Sequence, residues 1–317
     1  MTSTKTIAID GTGFALDGRP FLFQGLSFFN AVFSPSFNRS DGTRTQWLSK
    51  FKDNGVTVLR LFGQWDCGRG WVDAFPDSTL YEPNGWLREA PVRTLKAILE
   101  ALERQDMVAE LAAFVSQSEV RLSAGAQKTA LEELTAEMKP HRNLILQIWN
   151  EDSENVLGHL EAIKALDSDR LVTNSPGWAN DLGDEAQNTA LDLLTPHTVR
   201  DGKFWEEAPK QIRMLIEQYG KPVVDDEPAR PGVDQYSGRE EKSGTAPGQH
   251  VAHIVGTQEA GGHSTYHHNM FQYGYGHPET PPDGIPDPDL SPFHRQVIDH
   301  FKRTYSAWAR ENEKTGV

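Results

Sequence analysis

Asn143-Leu-Ile-Leu-Gln-Ile-Trp-Asn-Glu-Asp-Ser-Glu154 opens as an apolar run and stops on an amide and a carboxylate. The run over 144–148 is too short for a lone helix and apolar enough for a strand buried on both faces. A buried strand that ends on Asn150 and Glu151 delivers those groups to the rim of a sheet. Glu151 is therefore a candidate catalytic acid, and any partner should stand at the end of another strand.

Working outward, short apolar runs alternate with amphipathic helical spacing about eight times along the chain. Ile7 to Leu16, with Gly11, Gly13 and the turn signal Asp17-Gly18, reads as a small β-hairpin. It leads into a first core strand ending near Ser27 to Asn30. Further strands are expected at 56–62, 107–114, 144–148, 171–174, 191–194, 221–228 and 261–270. Helices are expected at 45–54, 91–105, 126–138, 157–166, 205–219, 249–258 and 293–308, with a proline- and glycine-rich loop at 274–292. Such alternation implies a parallel sheet. Its length fits one closed (β/α)8 TIM barrel, and the expectation is a single domain over 1–317 with a short N-terminal hairpin. An open doubly wound sheet should carry a Gly-rich turn after its first strand. Here Gly25 stands alone.

Composition narrows the partners. A net charge of -14 argues against nucleic acid and anionic membrane surfaces, both of which need a basic face. Cys67 is the only cysteine, so no intrachain disulfide forms, and its expected role is packing. The first ten residues carry no apolar signal core, and no run approaches the roughly 20 apolar residues of a membrane span. The expectation is a cytoplasmic protein, or a secreted one that has lost its signal.

In a barrel of this kind the strand C-terminal ends build the active site. Those ends carry Ser27 and Asn30, Arg60, Asn150 and Glu151, His197, Glu227, and the set His263, Tyr266, His267 and His268. An arginine inside the second strand is costly unless paired. Glu151 and Glu227, at the ends of strands four and seven, make the carboxylate pair that glycoside hydrolysis needs, one protonated and one ionised. Strand alternation puts Asp225 on the face of Glu227 and Asp226 opposite.

Three stretches make the pattern specific: Trp149-Asn150-Glu151, Val224-Asp-Asp-Glu-Pro228, and Arg60 within Val58-Leu-Arg-Leu61. With the opening Asp17-Gly-Arg-Pro-Phe-Leu-Phe-Gln-Gly25, the chain resembles the retaining β-glycosidases of glycoside hydrolase clan A over nearly its whole length. The resemblance implies a (β/α)8 barrel, Glu151 as acid/base, Glu227 as nucleophile, and Asn150 on the sugar 2-hydroxyl. It implies an oligosaccharide or glycoside substrate and no cofactor. Within the clan, Lys221-Pro-Val-Val-Asp-Asp-Glu-Pro228 and Gly262-His-Ser-Thr-Tyr-His-His268 are similar to the apiosidase-like branch. The chain departs from the pattern at strand six, where His197 is followed by Thr198 and Val199 rather than by a His-x-Tyr motif. It departs again at strand eight, which has histidines and Tyr266 in place of a stacking tryptophan.

Further substrate contacts are expected from Arg60, Asn30, His197, Tyr266, His267 and Trp65, with Trp71 and Trp86 as further stacking surfaces. Trp149 and Glu154 are expected to be packing and rim. Two other readings are a non-catalytic carbohydrate-binding barrel and a metal-dependent hydrolase built on the strand-eight histidines, His263 and His267 above all. The latter lacks the strand-one HxH pair of metal-dependent barrel hydrolases, and no metal is expected.

Overall fold

The computed structural model describes residues 5–67, 70–228, 246–268, 270–273, 284–290 and 292–315. Strands β1 (Ile7–Asp10), β2 (Gly13–Leu16) and β3 (Arg19–Phe21) come first, then β4 (Gln24–Ser27), α1 (Asp41–Asp53), β5 (Val58–Phe62), α2 (Glu89–Glu103) and β6 (Val108–Val115). Next come α3 (Ala124–Met138), β7 (Leu144–Asn150), α4 (Val156–Leu166), β8 (Leu171–Ser175), α5 (Glu185–Ala190) and α6 (Phe204–Tyr219). The chain closes with β9 (Val224–Asp225), α7 (Pro247–Glu259), β10 (His263–Tyr266), α8 (Met270–Tyr273) and α9 (Pro292–Thr315). The expected helices all form. The first starts earlier than its apolar spacing suggests, because the Ser40 side chain caps it by accepting from the Thr43 N–H. Residues 274–283 and 291 of the expected proline-rich loop lie outside the described residues.

Seven strands pair in the order β8-β7-β6-β5-β4-β10-β9. Every pair in this sheet is parallel. The expected sixth strand, 191–194, is where the curled sheet closes into a (β/α)8 barrel, and it is not a regular strand. Leu194 makes one parallel bridge to Val223. The Asp192 N–H donates to the Val172 carbonyl and the Leu194 N–H to that of Pro222. The Val224 N–H donates in turn to the Leu194 carbonyl, and side chains add to this short ladder: Asp192 accepts from the Val172 N–H and the Thr173 hydroxyl donates to the Leu193 carbonyl. Pro196 and Pro222 flank the closure and have no N–H to give. Opposite it, β4 and β10 approach closely at Gly25, where a Cβ would lie 2.3 Å from Thr265 Oγ1.

The N-terminal element is larger than a hairpin: β1, β2 and β3 form a three-stranded antiparallel sheet. Its second turn, Asp17-Gly18, has both φ values positive (51° and 73°), as a tight hairpin turn requires. This sheet plugs the bottom of the barrel. Phe14, Phe21 and Phe23 cluster there with Val58, Val108, Ile145, Leu193 and Val224, the lowest inward residues of five barrel segments. A second, larger core lies between the barrel wall and the helices, to which α2 contributes Val92, Leu95, Ile98, Leu99 and Leu102. With its lower end sealed, the barrel has only its upper end, where the strands terminate, to offer a ligand. Among the described residues no helix is long and apolar enough to cross a membrane.

Phe23 is fully buried, with its ring 5.2 Å from that of Phe14. Phe23→Ala is expected to cost about 3–5 kcal/mol in urea unfolding, and a loss below about 1 kcal/mol would show that the plug is not part of the core.

Candidate active site

The site is built around Arg60, which is fully buried in the middle of β5. Its Nη1 donates to Glu227 Oε1 at 2.9 Å. Its Nη2 meets Gln147 Oε1 at 2.8 Å, Asn150 Oδ1 at 2.7 Å and Asp226 Oδ2 at 2.9 Å. Burial works against the guanidinium, but Asp226, Glu227 and Glu110 together hold its pKa above the ordinary arginine value. Asp226 is its fully buried counter-ion. Burial alone would raise this carboxyl, yet Arg60 first and His197 second hold it below the ordinary aspartate value.

Two backbone irregularities bring the acceptors in. Between Gln147 and Asn150 the pairing of β7 with β8 shifts by a bulge. An unbulged strand would send these residues, three apart, to opposite faces. The bulge lets both bond the same Arg60 nitrogen and turns Trp149 away, where its indole N–H donates to the Glu154 carbonyl. Glu151 follows with φ of 65°, a left-handed conformation that costs a non-glycine residue about 1–3 kcal/mol. Its N–H is pinned to the Ser175 carbonyl at 3.0 Å. The expected alternation fails after β9. Asp226 and Glu227 both face the barrel interior, whereas Asp225 faces outward and bonds Thr198 Oγ1 at 2.7 Å and His253 Nε2 at 2.9 Å. The regular strand ends at Asp225, so alternation no longer governs the next two residues.

Glu151 and Glu227 meet at the barrel mouth. An oxygen of each lies within 4.8 Å of the other and of a ring nitrogen of His197. His197 is fully buried, with Nδ1 3.9 Å from Glu151, and Nε2 3.5 Å from Asp226 and 3.9 Å from Glu227. His267 Nδ1 bonds Ser27 Oγ at 2.9 Å and presents Nε2 3.9 Å from Glu227 Oε2. The cation lying between the two glutamates is Arg200. Its Nη2 donates to Glu227 Oε2 at 3.1 Å and its Nη1 lies 3.7 Å from Glu151 Oε1. The Glu–His–Glu group could reach a divalent ion, but this guanidinium already supplies positive charge to both carboxylates. The Gln117 amide donates to Glu151 Oε2.

These groups line a cleft of about 50 Å³ walled by Phe29, Phe62, Trp65, Trp71 and Trp178. Trp65 and Trp71 stack on each other at 4.4 Å with 14° between their planes, and Trp65, which also stacks on Phe29, is buried. Trp86 is exposed and outside this lining. Larger hollows of about 540 and 410 Å³ lie beside α1 and beneath the N-terminal sheet, and neither is lined by a glutamate.

Two expected contacts are corrected. Tyr266 does not face the cleft. It lies behind the barrel wall, where its hydroxyl bonds His294 Nδ1 at 2.8 Å and its ring packs on His250 and Phe271. Asn30 is fully buried and donates to Asp73 Oδ2 at 2.8 Å, which ties together loops outside the cleft lining. The strand-eight histidines diverge, contrary to the metal-hydrolase reading. His263 Nε2 donates to the Thr12 carbonyl at the barrel bottom, His267 faces the site, and His268 packs on Phe293 behind the wall. Arg200, Gln117 and Trp178 are site residues that the sequence reading missed. The one available signal is the position of Arg200, three residues beyond His197 in the loop that follows a strand end.

No protein-family model matches the sequence, and no curated protein matches it. Solved structures do match in fold. A Bacteroides vulgatus protein provisionally assigned as a glycoside hydrolase aligns with a TM-score of 0.65 at 16% identity over 83% of this chain, which spans 54% of that longer one. An endo-1,4-beta-mannanase from Rhizomucor miehei aligns with a TM-score of 0.64 at 13% identity, over 95% of this chain and 99% of its own. A family 5 mannosidase from the same fungus, solved as a glutamate-to-alanine mutant in complex with mannosyl-fructose, gives 0.62 at 16% identity, over 97% and 98%. The likeness extends to the whole barrel, so this chain has the fold of glycoside hydrolase family 5 enzymes.

Asp226→Ala removes one partner of a fully buried pair. It is expected to cost about 3–5 kcal/mol in denaturant unfolding. The histidines behind the wall give a second test. Burial foremost, then neighbouring imidazoles, hold His250 well below its ordinary value and His294 down to about 3. Unfolded imidazoles take up protons near pH 6.5. The unfolded state therefore binds more protons between about 6.5 and 3, and stability drains away as pH falls through that window. His294→Asn keeps an amide where Nδ1 stood, and its stability is expected to fall less than the wild type's between about pH 7.5 and 5. Parallel pH dependences would exclude His294 as a source.

Proposed function

We propose that this protein is a retaining glycoside hydrolase acting on β-linked oligosaccharides or glycosides. The observation that carries this reading is the pair of carboxylates, Glu151 and Glu227, with oxygens within 4.8 Å across a cleft walled by aromatic rings. Retaining enzymes place their two carboxyl groups about 5–5.5 Å apart, and inverting ones leave roughly 6.5–9.5 Å for a water. The fold neighbours, a mannanase and a mannosidase among them, point the same way and make β-mannosides the first substrates to try.

In the proposed reaction Glu151 gives its proton to the glycosidic oxygen while Glu227 attacks the anomeric carbon. The aglycone leaves as an alcohol, and the sugar is held as an ester of Glu227. Water then enters, Glu151 takes its proton, and the ester bond breaks with release of the sugar and the Glu227 carboxylate. Arg60 holds Oε1 of Glu227 from below, so Oε2 is the oxygen turned towards the sugar. Arg60 also claims the Asn150 carbonyl, which fixes the amide so that its NH2 is the group left to bind a 2-hydroxyl. Trp71, backed by the buried Trp65, and Trp178 supply ring surface on which a pyranose can stack.

Glu151→Ala and Glu227→Ala are to be assayed on aryl β-glycosides with activated and with poorly activated leaving groups. Glu227→Ala is expected to lose at least about 10⁴-fold in kcat, and Glu151→Ala about 10²–10⁴-fold on poorly activated leaving groups. Azide should rescue Glu151→Ala to a product of retained configuration and Glu227→Ala to an inverted one. Full activity in either variant would sink the assignment. A carbohydrate-binding barrel without catalysis would instead bind sugar equally well in both.

A further inference from the structure

We propose that Glu110 is a positioning residue, a carboxylic acid kept neutral inside the barrel so that the whole charge of Arg60 is left to Asp226 and Glu227. Glu110 lies on β6 directly beside Arg60, its Cα partner on β5, and is fully buried. Neighbouring, oppositely charged groups in such a place normally pair. Here the ion pairs of Arg60 run to Asp226 and Glu227. Among the described residues Glu110 Oε1 has only a 3.5 Å contact from Gln147 Nε2, Oε2 has no hydrogen-bond partner, and Arg60 Nε has no acceptor. An ionised carboxylate so poorly solvated would be costly, whereas a protonated one is tolerated.

The surroundings say why the proton stays. Arg60 faces Glu110 from β5, Asp226 from beyond β9, and the neutral Gln147 from β7. Gln147 also donates to Asp226 Oδ2 at 2.6 Å and Ser175 Oγ at 2.5 Å, which leaves it little to offer Glu110. α2 covers β6 from outside with apolar side chains. Burial first and the Asp226 charge second push the Glu110 carboxyl up to about 8, against the pull of Arg60.

When Glu110 ionises, Arg60 faces a third anion, one on the neighbouring strand. The guanidinium is then drawn from Glu227 towards β6, and the nucleophile loses its anchor. This catalytic consequence rests on the glycosidase reading, whereas the protonation of Glu110 does not. The sign for stability follows from the same proton. The folded protein retains it above the ordinary glutamate value of 4.5, where the unfolded chain has released it. Stability is therefore lost as pH rises from about 4.5 to about 8.

Glu110→Gln keeps the shape and the neutral charge, and it cannot ionise. Thermal midpoints of both proteins are to be measured from about pH 5 to about pH 9. The variant is expected to gain on the wild type by several degrees across that range, and a constant difference would overturn the proposal. Infrared titration should show a protonated carboxyl band persisting above about pH 6 in the wild type that the variant lacks, in addition to any band of the proposed acid Glu151, which both proteins share. Its absence from the wild type would overturn the proposal even if Glu110→Gln failed to fold. On any glycoside the wild type cleaves, the alkaline limb of kcat should move up by about one unit in the variant, and an unmoved limb would deny Glu110 its positioning role. Should neither protein hydrolyse any glycoside, the thermal and infrared results still decide the state of Glu110, and only the glycosidase reading falls.

Discussion

Arginine does not shed its charge inside a protein, so burying Arg60 obliges the barrel to surround it with acceptors. Much of the upper barrel reads as a response to that demand. Gln147 and Asn150 reach it from β7 only because a bulge puts both on the inner face. Asp226 and Glu227 reach it from beyond β9 only because the strand has ended and two successive side chains can turn inward. One guanidinium thus ties β5 to the opposite wall and fixes a carboxylate at the mouth. Hydrogen bonds to charged groups in a dry interior are strong when complete and expensive when one partner is missing. A site of this kind is held rigid by the cost of disassembling it.

The barrel was legible because its strands are buried on both faces and so read as plain apolar runs between helices. The helices were legible from their spacing, apart from a first turn set by the Ser40 cap. The segment 191–194 reads as a strand from its leucines, yet its ladder is short and leans in part on the side chains of Asp192 and Thr173, which an apolar pattern does not report. The two glutamates and Arg60 were legible as charges placed against apolar runs. Glu110, in Val108-Ala-Glu-Leu-Ala112, obeys the same rule and carries the same signal as Arg60, its register partner.

The failures at Tyr266 and at Asp225 have opposite causes. Period-two alternation assigns faces only while the strand is regular, and β9 ends at Asp225, so alternation no longer places Asp226 and Glu227. Tyr266 is the last residue of β10 and points outward, while His267, one step beyond, points into the site, so alternation holds there and forbids the two successive residues from both lining the cleft. Trp178, Gln117 and Arg200 lie on loops between elements, where no period exists to read.

Arg200 differs from Arg60 in the way that matters for chemistry. Both hold Glu227, one at each oxygen. Arg60 is fully buried in a strand and bound by four side chains. Arg200 is on a loop, its side chain 11% exposed, with its guanidinium 5.8 Å from the ring of Trp178, itself 69% exposed. In the proposed mechanism Oε2 becomes the ester oxygen and its negative charge disappears on attack, so its charge-assisted bond to Arg200 weakens as the new bond forms. A donor that must let go in the transition state is best mounted where it can move, and one that must not is best mounted in the core. The division between a fixed and a yielding arginine matches that requirement. It leaves Arg200, released from Glu227 but still beside Glu151, to help settle the negative charge that the acid acquires when its proton leaves.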